Sequence, residues 1–205
     1  MKVILVNGSP HAEGCTYTAL KEVEKALNAD GVETELFQLG TAPISGCIGC
    51  GVCRRQGKCF IDDKVNEFTA KAASADGFVF GTPVHYASAC GAMTSFMDRA
   101  FYSGGKSLWF KPAAAVVSCR RAGSTATFDM MNKYFTISSM PVVSSTYWNE
   151  VHGSKPEDVF KDEEGLQTMR ALGHNMAWLL GCIAAGRKAG LEPVREKKIY
   201  TNFVR

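Results

Sequence analysis

Lys2-Val3-Ile4-Leu5-Val6, then Gly8-Ser9-Pro10-His11-Ala12-Glu13-Gly14-Cys15-Thr16-Tyr17-Thr18, is the stretch on which the fold turns. The opening apolar run reads as a buried strand, and Gly8-Ser9-Pro10 breaks it. From Thr16 to Asn28, Ala19, Leu20, Val23, Ala26 and Leu27 recur at helical spacing, and Gly31 stops that helix. Glu33 to Leu39 then alternates apolar and polar, as a strand does. Strand, helix and strand in succession form a β-α-β unit, the building block of parallel sheets.

The pattern continues outward. A loop rich in turn residues and cysteines spans about 40–62, and a helix is expected over 64–74. Phe78-Val79-Phe80-Gly81 is a wholly apolar strand that ends at Thr82-Pro83, and Ala89 to Phe101 looks helical. A buried strand over 113–118, a helix over 124–134, a short strand over 141–144 and a long helix over 166–188 complete the chain. Strands that are continuous apolar runs belong in a sheet with helices on both faces. Right-handed crossovers leave a few doubly wound topologies, of which 2-1-3-4-5 is a common one.

Composition narrows the function. The 205 residues suit one domain, and 46% are apolar, enough for a real core. A net charge of +3 with scattered basic residues gives no footprint for nucleic acid. No run approaches the roughly 20 apolar residues of a membrane span, and the N-terminal run is too short for an export signal. The expectation is a cytoplasmic protein.

The first loop has a chemical meaning. Ligands of open α/β sheets sit beyond the carboxyl ends of strands, and a helix N-terminus there offers free N–H groups to an anion. Ser9, Thr16 and Thr18 supply hydroxyls, and His11 a positive charge when protonated. The loop has neither the Lys of a Walker loop nor a G-x-G-x-x-G pattern, so a plain helix cap remains open from these residues alone.

Four of the eight cysteines crowd into Cys47-x-x-Cys50-x-x-Cys53-x5-Cys59. Gly46, Gly49, Gly51 and Gly57 let that chain turn, and exposed backbone N–H groups would bond inorganic sulfide. Four thiolates suit a [4Fe–4S] cluster; zinc also takes four, though usually from two separated pairs. Free thiols, or a disulfide, are the remaining alternatives. Cys90, Cys119 and Cys182 read as small buried apolar residues, and Trp178 as part of the last helix's apolar stripe. His152 and His174 read as surface or helix residues without ligand partners.

The strand ending in Gly8-Ser9-Pro10 with Gly14-x-Thr16 resembles the phosphate loop of the NAD(P)H-dependent FMN reductase family. So does the second segment, Gly81-Thr82-Pro83-Val84-His85-Tyr86-Ala87-Ser88 with Gly91-Ala92-Met93 and Phe96-Met97-Asp98-Arg99. The ending Tyr200-Thr201-Asn202-Phe203-Val204-Arg205 is similar too. The compact cysteine spacing resembles that of the iron–sulfur flavoproteins of the same fold. His11, Cys15 and His85 depart from the Arg or Lys, Asn or Ser, and Tyr common at those places.

The resemblance implies one flavodoxin-like domain over 1–205, a five-stranded doubly wound parallel sheet of order 2-1-3-4-5. It implies FMN held by three loops: Ser9, His11, Gly14, Cys15, Thr16, Tyr17 and Thr18 at the phosphate; Pro83, Val84, His85 and Tyr86 at the ring; and Ser118, Arg120 and Gly123 on its other side. Trp148 would border the flavin, and the Asp98-Arg99 pair would close its helix. Cys47, Cys50, Cys53 and Cys59 would be the metal ligands. The expected activity is electron transfer from NAD(P)H through FMN to a small acceptor such as a flavin or quinone. The alternative is an iron–sulfur flavoprotein that exchanges electrons with a ferredoxin-like carrier. A homodimer or homotetramer is implied, with the cysteine loop and Trp109 near the interface.

Overall fold

The computed structural model describes residues 1–201 and 203. Asn202, Val204 and Arg205 of the family-like ending lie outside the described residues.

Five parallel strands form the sheet: β1 (Lys2–Asn7), β2 (Glu33–Gln38), β3 (Gly77–His85), β5 (Ala113–Cys119) and β6 (Glu150–His152). Their order is β2-β1-β3-β5-β6, which is the expected 2-1-3-4-5 in chain order. A two-residue strand, β4 (Ser88–Ala89), turns back antiparallel onto the end of β3, pairing Ala89 with Val84 and Ser88 with His85. Leu5 lies between Leu36 and Val79, and Val79 pairs with Ala114 on its other side.

Because side chains alternate across a strand, each strand feeds two cores. Ile4, Val6, Phe78, Phe80, Ala113 and Ala115 face α3 (Lys64–Ala72), α4 (Gly91–Leu108) and α5 (Ser124–Ile137). Val3, Leu5, Val79, Ala114 and Val116 face α1 (Cys15–Ala29) and α7 (Glu163–Lys188). The first core is aromatic. Phe68 is in contact with Phe37, Phe78, Phe80 and Phe96 at centroid separations of 5.1–5.9 Å, and truncating such a ring costs about 3–5 kcal/mol.

Several expectations need correction. The fifth strand is not at 141–144. Only Val142 bridges there, to Ala113, and the chain then loops out before Glu150–His152 joins the edge beside Val117–Cys119. The helix carrying Asp98-Arg99 does not end at that pair but runs on to Leu108. The cysteine loop contains a short helix, α2 (Val52–Gln56). Trp178 is 71% exposed rather than core, and Cys182 is exposed, whereas Cys90 and Cys119 are buried as expected.

This topology puts the ends of β1, β3, β5 and β6 side by side at one edge of the sheet. No helix among the described residues is long and apolar enough to cross a membrane.

Candidate functional site

A cavity of about 900 Å³ opens over that edge. Small-molecule sites span roughly 300–1,000 Å³, so it admits a ligand of nucleotide size. Residues 9–16 of the first loop, Pro83-Val84-His85, Ser118-Cys119-Arg120 and Gly153-Ser154-Lys155-Pro156 line it.

Its floor is the N-terminus of α1. Gly14 caps the helix with no side-chain hydrogen bond, and the first turn holds no acidic residue. The first amides of a helix have no acceptor within it, so they and the positive dipole end face the cavity unopposed. Thr16, in the first turn of α1, and Ser118, near the end of β5, are both buried and join the floor with their hydroxyls 2.8 Å apart.

The loop is held from beneath by side chains that the sequence did not single out. Asn7 is fully buried; its Oδ1 accepts from Ser9 N at 3.0 Å, and its Nδ2 donates to Gln38 Oε1 at 2.7 Å. Gln38 Nε2 in turn donates to Ser9 O at 2.7 Å, and His11 N donates to Ser9 Oγ at 3.1 Å. The Cys15 Sγ donates to Gly153 O at 3.6 Å, tying the first loop to the fourth. Burial pushes the Cys15 thiol up from its ordinary value, with Asp158 and Glu157 adding to the rise. Cys15 therefore stays protonated and neutral at the phosphate end.

The structure brings together Ser9, His11, Gly14, Cys15, Thr16, Pro83, Val84, His85, Ser118 and Arg120 around the one cavity. Tyr17, Thr18, Tyr86 and Gly123 do not line it. Tyr17 and Thr18 border a separate groove on the outer side of α1, and the Thr18 hydroxyl donates to Gly14 O inside the helix. Tyr86 sits fully exposed at the tip of the β3–β4 hairpin with φ of 62°. Gly123 has φ of 89°, and a Cβ there would stand 2.9 Å from Val84 Cγ1, so its lack of a side chain lets the second and third loops touch. Trp148 is not at the cavity either; its ring packs on Tyr147 at 4.8 Å between centroids.

The sequence reading missed Gly153-Ser154-Lys155-Pro156. The signal was a Gly-Ser turn leading to a Pro at the start of α6 (Pro156–Val159), a usual helix start. It was overlooked because the fifth strand was placed too early, which left this loop away from any strand end. Lys155 adds an exposed cation to the cavity mouth beside Arg120 and His11.

The cysteine loop forms a second centre. Cys47, Cys50, Cys53 and Cys59 all border one small hollow, roofed by Ile48, Phe60, Ile61, Arg99 and Tyr102. Gly49, Gly51 and Gly57 take left-handed backbone, and two of them flank α2. Among the described residues no three Cys, His, Asp or Glu side chains stand close enough to hold a single metal ion. The donor set nevertheless fits a [4Fe–4S] cluster in kind: four thiols around one hollow, with apolar walls. A four-iron cluster spreads its ligands wider than one ion does, so close convergence of the sulfurs is not what it requires.

A flavodoxin-like α/β fold with an anion cradle at the end of its first strand, a ring-sized cleft beside it and a thiol loop defines the class. Within that class, the sequence model of the NADPH-dependent FMN reductase family matches residues 1–154, and the chain belongs to that family of FMN-dependent oxidoreductases. An iron-sulfur flavoprotein of Methanocaldococcus jannaschii is 36% identical over 188 residues, covering 86% of this chain and 96% of the relative. An iron-sulfur flavoprotein of Methanosarcina thermophila is 25% identical over 193 residues, covering 91% and 99%. Among solved structures, the NAD(P)H:quinone oxidoreductase of Methanothermobacter marburgensis superposes with a TM-score of 0.65 at 16% identity, covering 86% of this chain and 96% of its own. RosB with a bound formylated riboflavin phosphate gives 0.67 at 14% identity, covering 100% and 92%. These two likenesses concern the fold.

Proposed function

We propose that this chain is an oxidoreductase that holds FMN across the carboxyl edge of its sheet and a [4Fe–4S] cluster in its cysteine loop, taking electrons from NAD(P)H. The observation that carries the reading is the 900 Å³ cavity set over an uncapped, uncharged helix N-terminus. Bound FMN would supply an acceptor for the two electrons of a hydride and a donor of single electrons, and a cluster would take them singly.

The chain's own residues bind and orient. The α1 amides with Ser9 and Thr16 receive the phosphate, and Asn7 and Gln38 keep that loop in shape before the ligand arrives. Lys155, Arg120 and His11 draw the anion in. Pro83, Val84 and His85 form the wall for the ring, and Gly123 lets the opposing loop close on Val84. Tyr86, exposed at the hairpin tip outside the cavity lining, would cover the outer face of a bound ring or nucleotide. Cys47, Cys50, Cys53 and Cys59 hold the cluster. Arg54, Arg55 and Lys58 beside it, with exposed Ile48, Phe60 and Tyr102, make a basic and apolar rim that suits an acidic one-electron carrier of the ferredoxin type.

The second reading is a reductase that passes electrons from FMN directly to a free flavin or quinone. The open mouth of the cavity, which Lys155 and Arg120 border on the loops after β6 and β5, favours it. In either reading the chain assembles as a homodimer or homotetramer, and sedimentation gives the stoichiometry.

Anaerobic mixing of the FMN-loaded protein with NADPH or NADH, followed by flavin absorbance, tests the proposal. Bleaching, with return of colour on adding a quinone or an oxidised ferredoxin, supports it. A flavin that pyridine nucleotides leave oxidised, yet a reduced ferredoxin bleaches, reduces the protein to a carrier.

A further inference from the structure

Arg99 is the one charged side chain in the buried set among the described residues, at 1% exposure. It projects from α4 into the base of the cysteine loop. Nη1 donates to Ser45 O at 3.2 Å and to Asp63 Oδ2 at 2.6 Å; Nη2 donates to Ile61 O at 2.8 Å and to Asp63 Oδ1 at 2.9 Å. Nε donates to Cys59 Sγ at 3.3 Å. A buried guanidinium is tolerated only when its donors are matched, and here all three nitrogens are used. The two ends of the loop, at residues 45 and 61–63, are thereby fastened to one helix.

The polarity of this arrangement is specific. The fork of Nη1 and Nη2 faces the carboxylate, while Nε faces the sulfur. Cys59 is also the best-tethered of the four cysteines: its N–H donates to Asn66 Oδ1, and its carbonyl accepts from Asn66 Nδ2, both at 3.0 Å. A structural bolt alone does not require that the one remaining guanidinium N–H meet a thiol.

We propose that Arg99 is a positioning residue of the thiol centre, fixing Cys59 as a ligand and holding a permanent positive charge against its sulfur. That charge favours the one-electron-reduced form of a cluster bound there. The inference rests on the reading that the four cysteines hold a cluster. Reduction adds one electron and its negative charge, with no bond made or broken and no proton moved. A fixed cation and an N–H donor at a ligand sulfur stabilise that added charge, the more so where water is excluded.

The test is a reductive titration of the cluster with dithionite, read by optical and electron paramagnetic resonance spectra, with iron counted per chain. Arg99→Gln shifts the midpoint downward, by about tenfold in the reduction equilibrium, or about 59 mV for one electron. Asp63→Asn, which keeps the α3 cap to Val65 N, removes the counter-charge and shifts it upward. Arg99→Lys keeps the charge and loses the fork, so its potential stays near wild type while its iron content falls. Opposite shifts from Arg99→Gln and Asp63→Asn support the proposal. Should Arg99→Gln fail to fold, an upward shift in Asp63→Asn with an unmoved potential in Arg99→Lys supports it alone. Shifts of the same sign, or none, in iron-loaded variants overturn it while leaving the cluster reading intact. Wild-type protein that takes up no iron overturns both.

Discussion

Asn7→Ala separates a phosphate loop that is built in advance from one that a ligand must order. The buried Ser9 N–H loses its acceptor at 3.0 Å, and such an orphaned group costs about 1–3 kcal/mol. Gln38 loses its donor at 2.7 Å, but it is half-buried and water replaces part of that bond, so about 1 kcal/mol is added. The sum is about 2–4 kcal/mol. With a slope of about 3 kcal/mol per molar urea, the unfolding midpoint falls by about 1 M. Gln38, freed from Asn7, no longer holds Ser9 O in place, and the loop opens. If about 1.4 kcal/mol of that loss appears as ordering of the loop on binding, FMN affinity falls about tenfold. Riboflavin lacks the phosphate and is affected less. The assay is quenching of flavin fluorescence by titration with apoprotein, run for both ligands, beside urea unfolding followed by circular dichroism. An unchanged FMN-to-riboflavin affinity ratio, with a lowered midpoint, would refute the link between the Asn7 brace and phosphate binding. An unchanged midpoint would refute the energetic argument itself.

Lys155→Gln weakens FMN about two- to fivefold, the worth of one exposed charge at about 0.5–1 kcal/mol, leaves riboflavin unchanged, and loses its effect in high salt; equal losses for both ligands would contradict this. Gly123→Ala forces a Cβ to 2.9 Å from Val84 Cγ1 at a φ of 89°, so thermal unfolding should show about 1–3 kcal/mol of destabilisation and flavin binding should weaken with it. Glu35 lies 2.7 Å from both Lys2 Nζ and Lys71 Nζ, and hydrogen bonds from those two ammonium groups hold its carboxyl below the usual range. A carboxyl lowered in the folded state stabilises it above the unfolded value of about 4.3, and that contribution fades as pH falls through the folded value. The stability gap between wild type and Glu35→Gln is therefore full at neutral pH and closes in acid; urea midpoints at several pH values would expose a gap that stays constant.

The sheet was legible because its central strands are apolar runs flanked by helices of clear period, and Ile4, Val6, Phe78 and Phe80 alternate with Val3, Leu5 and Val79 between two covered faces. The edge was not. A strand with one neighbour need not be apolar throughout, so Glu150-Val151-His152 passed unnoticed while Pro141-Val142-Val143 looked the part. That displacement hid Lys155, since a loop acquires meaning here only from the strand it follows. Polar residues at strand ends were equally silent. Asn7 and Gln38 look like surface residues until β1 and β2 pair in parallel and set them side by side. Tyr17 and Thr18 lie one and two residues past Thr16, far enough round the helix for their side chains to leave the cavity. In the sequence Arg99 is expected only to close its helix together with Asp98; its link to the cysteine loop is hidden because its partners come from a segment folded back onto α4. Trp178 lies within the covered length of α7, between buried Ala177 and Leu180, but on the outward face of the helix, off the stripe that meets the core.

The central claim is that one chain carries both a flavin and an iron–sulfur centre. The most direct test is the absorption spectrum of protein purified without oxygen and supplied with FMN, with iron and sulfide assayed on the same sample. The account predicts flavin bands over a broad cluster absorbance, with about four irons and four sulfides per chain. A protein that binds no flavin, or that binds flavin yet takes up no iron or sulfide after reconstitution, would contradict it.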